Sequence, residues 1–196
     1  MKRPLLTSFL VSFCLLVALS ALGQAGAAPT VGAVVPALSL PDAAGHRHSL
    51  SEKGRPVTLL FFCGCAPCHD FARFWGQAQQ GGELVSRAPG RVAHGPATIV
   101  VFLGGADAAR TFAAETHLDL SQTLLLCDPS DQVGQKFGVV QCPRVFVTDR
   151  ARRLAYTSPD DPAPRPSVPV LVSRTLTALR RLQPGDRAAP GKKAVP

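Results

Sequence analysis

The chain has 196 residues, with 46% hydrophobic and 17% charged positions and a formal net charge of +8. That length and balance suit one globular domain with its own core and exclude a disordered chain. The basicity is local: residues 150–196 hold ten basic residues against three acids, and only Tyr156 interleaves there as an aromatic. A solvated helix face and tail is the expected reading, and nucleic acid is not an expected partner.

Met1-Lys2-Arg3 followed by the apolar stretch Leu5 to Leu22 has the form of an export signal, and Ala25-Gly26-Ala27 fits cleavage before Ala28. The same stretch, if retained, is a membrane anchor at the N-terminus. Either way residues 1–27 are set apart, and the domain is expected to be exported, into a periplasmic or other extracytoplasmic space where disulfides persist. Beyond Cys14 of that stretch, the cysteines are Cys63, Cys65, Cys68, Cys127 and Cys142. An odd set leaves at least one thiol free, metal-bound or intermolecular.

In chain order, Val34, Leu38 and Leu40 lead into the turn Pro41-Asp42-Ala43-Ala44-Gly45, and Leu50 follows it, which predicts a β-hairpin. Residues 57–62 are a continuous apolar run of strand length. Asp70 to Gln80 reads as helix, with Phe71, Phe74 and Trp75 on one apolar face. After an irregular connector over 83–96, the spacing predicts a strand over 97–103 and a helix over 106–117 with Phe112 inward. A short strand at 124–127, a short helix at 132–137 stopped by Gly138, strands at 144–148 and 154–157, a proline-rich stretch over 158–169 and a last helix over 170–182 complete the domain. Residues 184–196 read as a disordered basic tail. The alternation predicts an α/β domain over 28–183, a largely parallel or mixed central sheet with helices on both faces.

Between the first buried strand and its helix lies Cys63-Gly64-Cys65-Ala66-Pro67-Cys68-His69. A C-x-x-C at a strand-to-helix junction is a candidate redox dithiol. Cys65 would sit at the helix start, where free N–H groups favour the thiolate and should lower its pKa from about 8.5 toward neutral. Cys68, one turn on, can resolve a mixed disulfide formed on Cys65. Pro67 suits the first helical turn, which needs no N–H there. A soft metal such as copper or zinc on Cys63, Cys65, Cys68 and His69 is the competing reading, and a purely structural disulfide is another. No cofactor is called for by the redox reading.

These segments together resemble the exported thiol-disulfide oxidoreductases of thioredoxin fold, the TlpA/ResA-like group, itself similar to the AhpC/TSA peroxiredoxins. The likeness spans about residues 31–182 and rests on Pro36 to Asp42, the run 57–62, Cys65-Ala66-Pro67-Cys68, Cys127 to Gly134 and Phe137 to Asp149. The resemblance implies a thioredoxin-like fold with an N-terminal hairpin extension. It also implies catalysis by Cys65 and Cys68, a cis-proline at Pro143 facing the dithiol, and Cys142 beside the substrate, whether as a packing residue, a third redox thiol or a metal ligand that Cys63 could join. Protein partners carrying thiols or disulfides, and a monomeric state, are expected. Three positions depart from the family: Gly64 stands where a Trp precedes the dithiol, and Leu59 and Phe71 stand where acids serve the buried thiol. A thiol peroxidase is the alternative activity, but no Pro-x-x-x-Ser/Thr-x-x-Cys precedes Cys65 or Cys68. Cys127 reads as packing.

Overall fold

The structure is a computed structural model that describes residues 28–50, 54–82, 97–159 and 166–182. The leader stretch 1–27, the connector 83–96, residues 160–165 of the proline-rich stretch and the tail 184–196 therefore lie outside the described residues.

A two-stranded hairpin, β1 (Leu38–Pro41) and β2 (Arg47–Leu50), precedes the main sheet. The Asp42 carboxylate closes its turn by accepting from the Ala44 and His46 N–H groups at 2.8 and 2.9 Å. The main sheet has five strands in the order β5-β4-β3-β6-β7, with β3 at Val57–Phe62, β4 at Ala97–Phe102, β5 at Thr123–Cys127, β6 at Arg144–Thr148 and β7 at Leu154–Thr157. β3, β4 and β5 run parallel, while β6 pairs antiparallel with β3 and β7 with β6. The mixed sheet is the expected one, and β3 at its centre is buried on both faces as its unbroken apolar run requires.

The helices are α1 (Ala66–Gln80), α2 (Ala106–Thr116), α3 (Gln132–Lys136) and α4 (Val168–Leu182). Their distribution over the sheet is uneven. One face packs Leu60, Phe62, Val100 and Val145 against α1, α2 and α4. The other packs Leu59, Phe61, Ile99 and Phe146 against Val35, Leu38 and Leu40 of the N-terminal segment and against Val133 and Phe137 around α3. A four-residue strand and a five-residue helix cover that second face because their apolar residues fall on alternate or adjacent inward positions.

Two expectations need correction. Phe74 is 41% exposed, not part of the buried face of α1. That face runs Cys68, Phe71, Ala72, Trp75, Ala78 and Gln79, a spacing that leaves position 74 on its margin. The last helix begins at Val168, two residues earlier than expected, because Pro169 falls in its first turn where a missing N–H costs nothing. Asp128 is almost fully buried and accepts from the N–H groups of Val133 and Gly134 at 2.8 and 2.9 Å, which ties the end of β5 to α3.

Candidate functional site

The site forms where β3 ends. Gly64 has φ +80, in the left-handed region that favours glycine, and a Cβ there would stand 3.4 Å from Phe102 Cζ. This turn carries the chain from the strand into α1. The Trp that the resembled family carries here would be strained on this backbone, as would any residue with a Cβ. Cys65 is the N-cap of α1 with extended backbone, and Pro67 lies in the first turn. The Cys65 carbonyl accepts from the Cys68 and His69 N–H groups at 2.8 and 3.1 Å, so the first helical turn holds the two cysteines in fixed relation.

The two thiols meet: Cys65 Sγ is 3.3 Å from Cys68 Sγ. Cys65 is half-buried and Cys68 is fully buried among Phe62, Phe71 and Trp75. The loop before β6 reaches the same place from the other side. Phe61 on β3 pairs with Arg144 on β6, so the antiparallel register continued by two residues sets Cys63 opposite Cys142. The Cys65 thiol points to the Cys142 carbonyl oxygen at 4.0 Å, and the Cys142–Pro143 peptide bond is cis. The structure thus brings together Cys65, Cys68, Cys142 and Pro143. Cys127, 2% exposed at the end of β5, packs in the core.

The electrostatics differ from the expected pattern. Burial first, then the Cys68 thiol, pushes the Cys65 thiol above its ordinary value rather than toward neutral. The helix start does not reverse this, because the Cys65 side chain makes no capping hydrogen bond. The Cys142 thiol, followed by burial, raises Cys68 as well. Cys63 is exposed as a residue, yet burial of its sulfur against the other thiols pushes it up to about 11. Leu59 and Phe71 are both buried in apolar clusters, so the positions that carry acids in the resembled family contribute none here.

His69 does not join the thiols. Its ring packs edge-on against Phe112 at 4.9 Å and faces the Glu115 carboxylate at 3.8 Å. Among the described residues, the group able to hold a metal is Cys63, Cys65 and Cys68, whose sulfurs lie within 4.8 Å of one another.

Sequence reasoning missed the wall of the neighbouring cleft. A cavity of about 220 Å³ lies between Pro67, Gln141, Pro143 and the start of α4 at Val168 and Leu171. Arg144 forms part of it, almost fully buried, donating to the Ser158 carbonyl and lying 5.0 Å over the Phe146 ring. The signal was present: an arginine opening the otherwise apolar strand Arg144–Thr148 needs a partner. A larger cavity of about 420 Å³ lies at the opposite end of the sheet, at the starts of β3, β4 and β5, and is remote from the thiols.

No protein-family model matches the chain, and no curated protein matches it. Solved structures do. A peroxidoxin, BcpB, from Mycobacterium tuberculosis aligns with TM-score 0.62 and 19% identity over 80% of this chain and 99% of its own. DsbE from Chlorobium tepidum, described as a thiol:disulfide interchange protein, aligns with TM-score 0.59 and 24% identity over 78% of this chain and 99% of its own. DsbF from M. tuberculosis, solved in mixed oxidized and reduced forms, aligns with TM-score 0.54 and 23% identity over 72% of this chain and 94% of its own. With its central mixed sheet, flanking helices and hairpin extension, the chain has the thioredoxin-like fold of these structures.

Proposed function

We propose that the chain is an exported thiol-disulfide oxidoreductase working through Cys65 and Cys68. The carrying observation is the pair of sulfurs 3.3 Å apart, one half-buried and one buried, with the cavity at Pro67 and Pro143 starting two residues from Cys65. A disulfide needs about 2.05 Å, so a small side-chain rotation closes the pair. The half-exposed Cys65 thiolate attacks one sulfur of a substrate disulfide, and the other leaves as a thiolate that takes a proton. Cys68 then loses its proton and attacks the Cys65 sulfur. The second substrate thiol departs, and a Cys65–Cys68 disulfide holds the two electrons' worth of oxidation. The reverse sequence oxidises a substrate dithiol.

The cleft bounded by Pro67, Gln141 and Pro143 offers an apolar bed for a substrate segment, and the Cys142 carbonyl between Gln141 and Pro143 faces the Cys65 thiol. A thiol peroxidase is disfavoured, since neither cysteine follows the Pro and hydroxyl pattern that shapes a peroxide pocket. Residues 1–27 act as the export signal or anchor, 28–183 as the catalytic domain and 184–196 as a basic tail. No helix among the described residues is long and apolar enough to cross a membrane. Partners are proteins or small molecules bearing thiols or disulfides, met by a monomer.

The test is disulfide reductase activity of the reduced protein with Cys65→Ser and Cys68→Ser alongside. Loss of activity in both supports the reading; full activity in both overturns it. Fractionation with mass spectrometry of the N-terminus tests export, with Ala28 as the first residue if the signal is cleaved.

A further inference from the structure

The dithiol accounts for Cys65 and Cys68 but leaves Cys63 and the Cys142 side chain without a role. Three sulfurs, those of Cys63, Cys65 and Cys68, lie within 4.8 Å of one another. Cys142 lies outside that group of three, but its carbonyl oxygen is 4.0 Å from the Cys65 sulfur and its thiol influences both Cys63 and Cys68. The register of β3 against β6 brings it there independently, since Cys63 and Cys142 extend the Phe61–Arg144 pairing. Zinc–sulfur bonds of about 2.3 Å put the sulfurs of a tetrahedral site about 3.8 Å apart, and a trigonal Cu⁺ site is of similar size. Side-chain rotations alone therefore contract the group onto one ion. Cys63 is exposed, which gives the ion an entry path, and among the described residues no carboxylate or imidazole joins the group; His69 is turned to Glu115.

We propose that the reduced protein holds one thiophilic closed-shell cation, Zn²⁺ or Cu⁺, on Cys63, Cys65 and Cys68, with Cys142 as an available fourth ligand. Each ligating thiol gives up its proton as its metal–sulfur bond forms, and no electron is transferred. The site shares two sulfurs with the exchange reaction but does not depend on it. A bound ion and a Cys65–Cys68 disulfide exclude each other, so metal occupancy and dithiol oxidation compete for the same pair.

The full chain, reduced and under anaerobic conditions, is titrated with Zn²⁺ alone and with Cu⁺ alone against a chromogenic chelator. Co²⁺ serves as a spectroscopic probe. One equivalent of at least one ion is expected, with a sulfur-to-cobalt charge-transfer band, and none once the Cys65–Cys68 disulfide has formed. Losing a first ligand should exceed the tenfold to hundredfold effect typical of outer-shell changes, so Cys63→Ser should weaken binding by about 100-fold or more. Cys142→Ala separates the ions: it weakens a four-coordinate Zn²⁺ site and leaves a three-coordinate Cu⁺ site unchanged. Cys127→Ser, remote in the core, should bind as the wild type does. Absence of stoichiometric binding of either ion by the reduced wild type, or equal binding by Cys63→Ser, overturns the proposal. Reductase activity measured on the same Cys63→Ser sample keeps this outcome distinct from failure of the exchange reading.

Discussion

The Cys65 sulfur lies 4.0 Å from the carbonyl oxygen of Cys142, 77 residues further along the chain. The contact follows from the pairing of β3 with β6, which carries the loop before Arg144 to the end of the strand that precedes the dithiol. Whatever reacts at Cys65 therefore meets the 141–143 loop at the same moment.

The two thiols should differ sharply in reach. Cys65 is half-buried and Cys68 has no exposed surface. In the native reduced protein an alkylating reagent should modify Cys65 at least about tenfold faster than Cys68, because the thiolate must be both formed and reachable. Peptide mapping by mass spectrometry after timed quenching reads the order. Equal rates would mean that Cys68 is not sheltered as described.

Gly64 should resist replacement. A residue with a Cβ at φ +80 costs about 1–2 kcal/mol in the left-handed region, while the 3.4 Å approach to Phe102 is an ordinary contact, so the backbone carries the cost of an alanine. Gly64→Ala should lower the melting temperature by several degrees, and Gly64→Trp, the residue of the resembled family, by more. A thermal melt of the two variants checks this, and an unchanged melting temperature for both would remove the argument from backbone strain.

Phe71 is a core residue at the position where the resembled family carries an acid. It has no exposed surface and stacks on Trp75 with ring centroids 6.0 Å apart. Phe71→Ala should cost about 3–5 kcal/mol through cavity formation. Phe71→Glu should destabilise at least as strongly, since it buries a charge without a partner. Chemical denaturation measures both, and a Glu variant as stable as the wild type would show that the pocket admits a proton-transfer group after all.

The hairpin turn carries the clearest pH dependence outside the thiols. The His48 ring at 2.8 Å, with the N–H groups of His46 and Ala44, holds the Asp42 carboxyl at about 2, against an ordinary 3.8. A depressed carboxyl means that the unfolded chain binds the proton first as pH falls. The contribution is complete above about pH 4 and is lost as pH drops through about 2. Unfolding followed across this window should show a smaller acid-induced loss for Asp42→Asn than for the wild type. An identical pH profile for the two would assign the turn no electrostatic part.

Much of this was legible in the chain. The unbroken apolar runs at 57–62 and 97–102 identified the buried parallel strands, since only strands covered on both faces read that way. The strand, Cys65-Ala66-Pro67-Cys68 and helix succession put two cysteines at a helix start, where the structure sets their sulfurs 3.3 Å apart, because proline in a first turn and closely spaced thiols are local signals. What failed was what depends on tertiary contact. Cys65 lies at a helix start, but its thiol is raised by burial, and sequence spacing cannot show desolvation. His69 is adjacent to Cys68 along the chain, yet the helix turns its ring toward Glu115 and Phe112. At the cleft wall the strand pattern shows that Arg144 needs a partner, but that the partner is Ser158, 14 positions on across a turn and a strand, is not encoded locally.

The central claim is that Cys65 attacks and Cys68 resolves. Mixed-disulfide trapping tests it most directly: each single Ser variant is incubated with a disulfide-bearing protein, and the covalent adduct is measured on non-reducing gels and mapped by mass spectrometry. Cys68→Ser should accumulate an adduct bonded through Cys65, and Cys65→Ser should accumulate little or none. An adduct trapped equally by both variants, or one bonded through Cys68 or Cys63, would contradict the account.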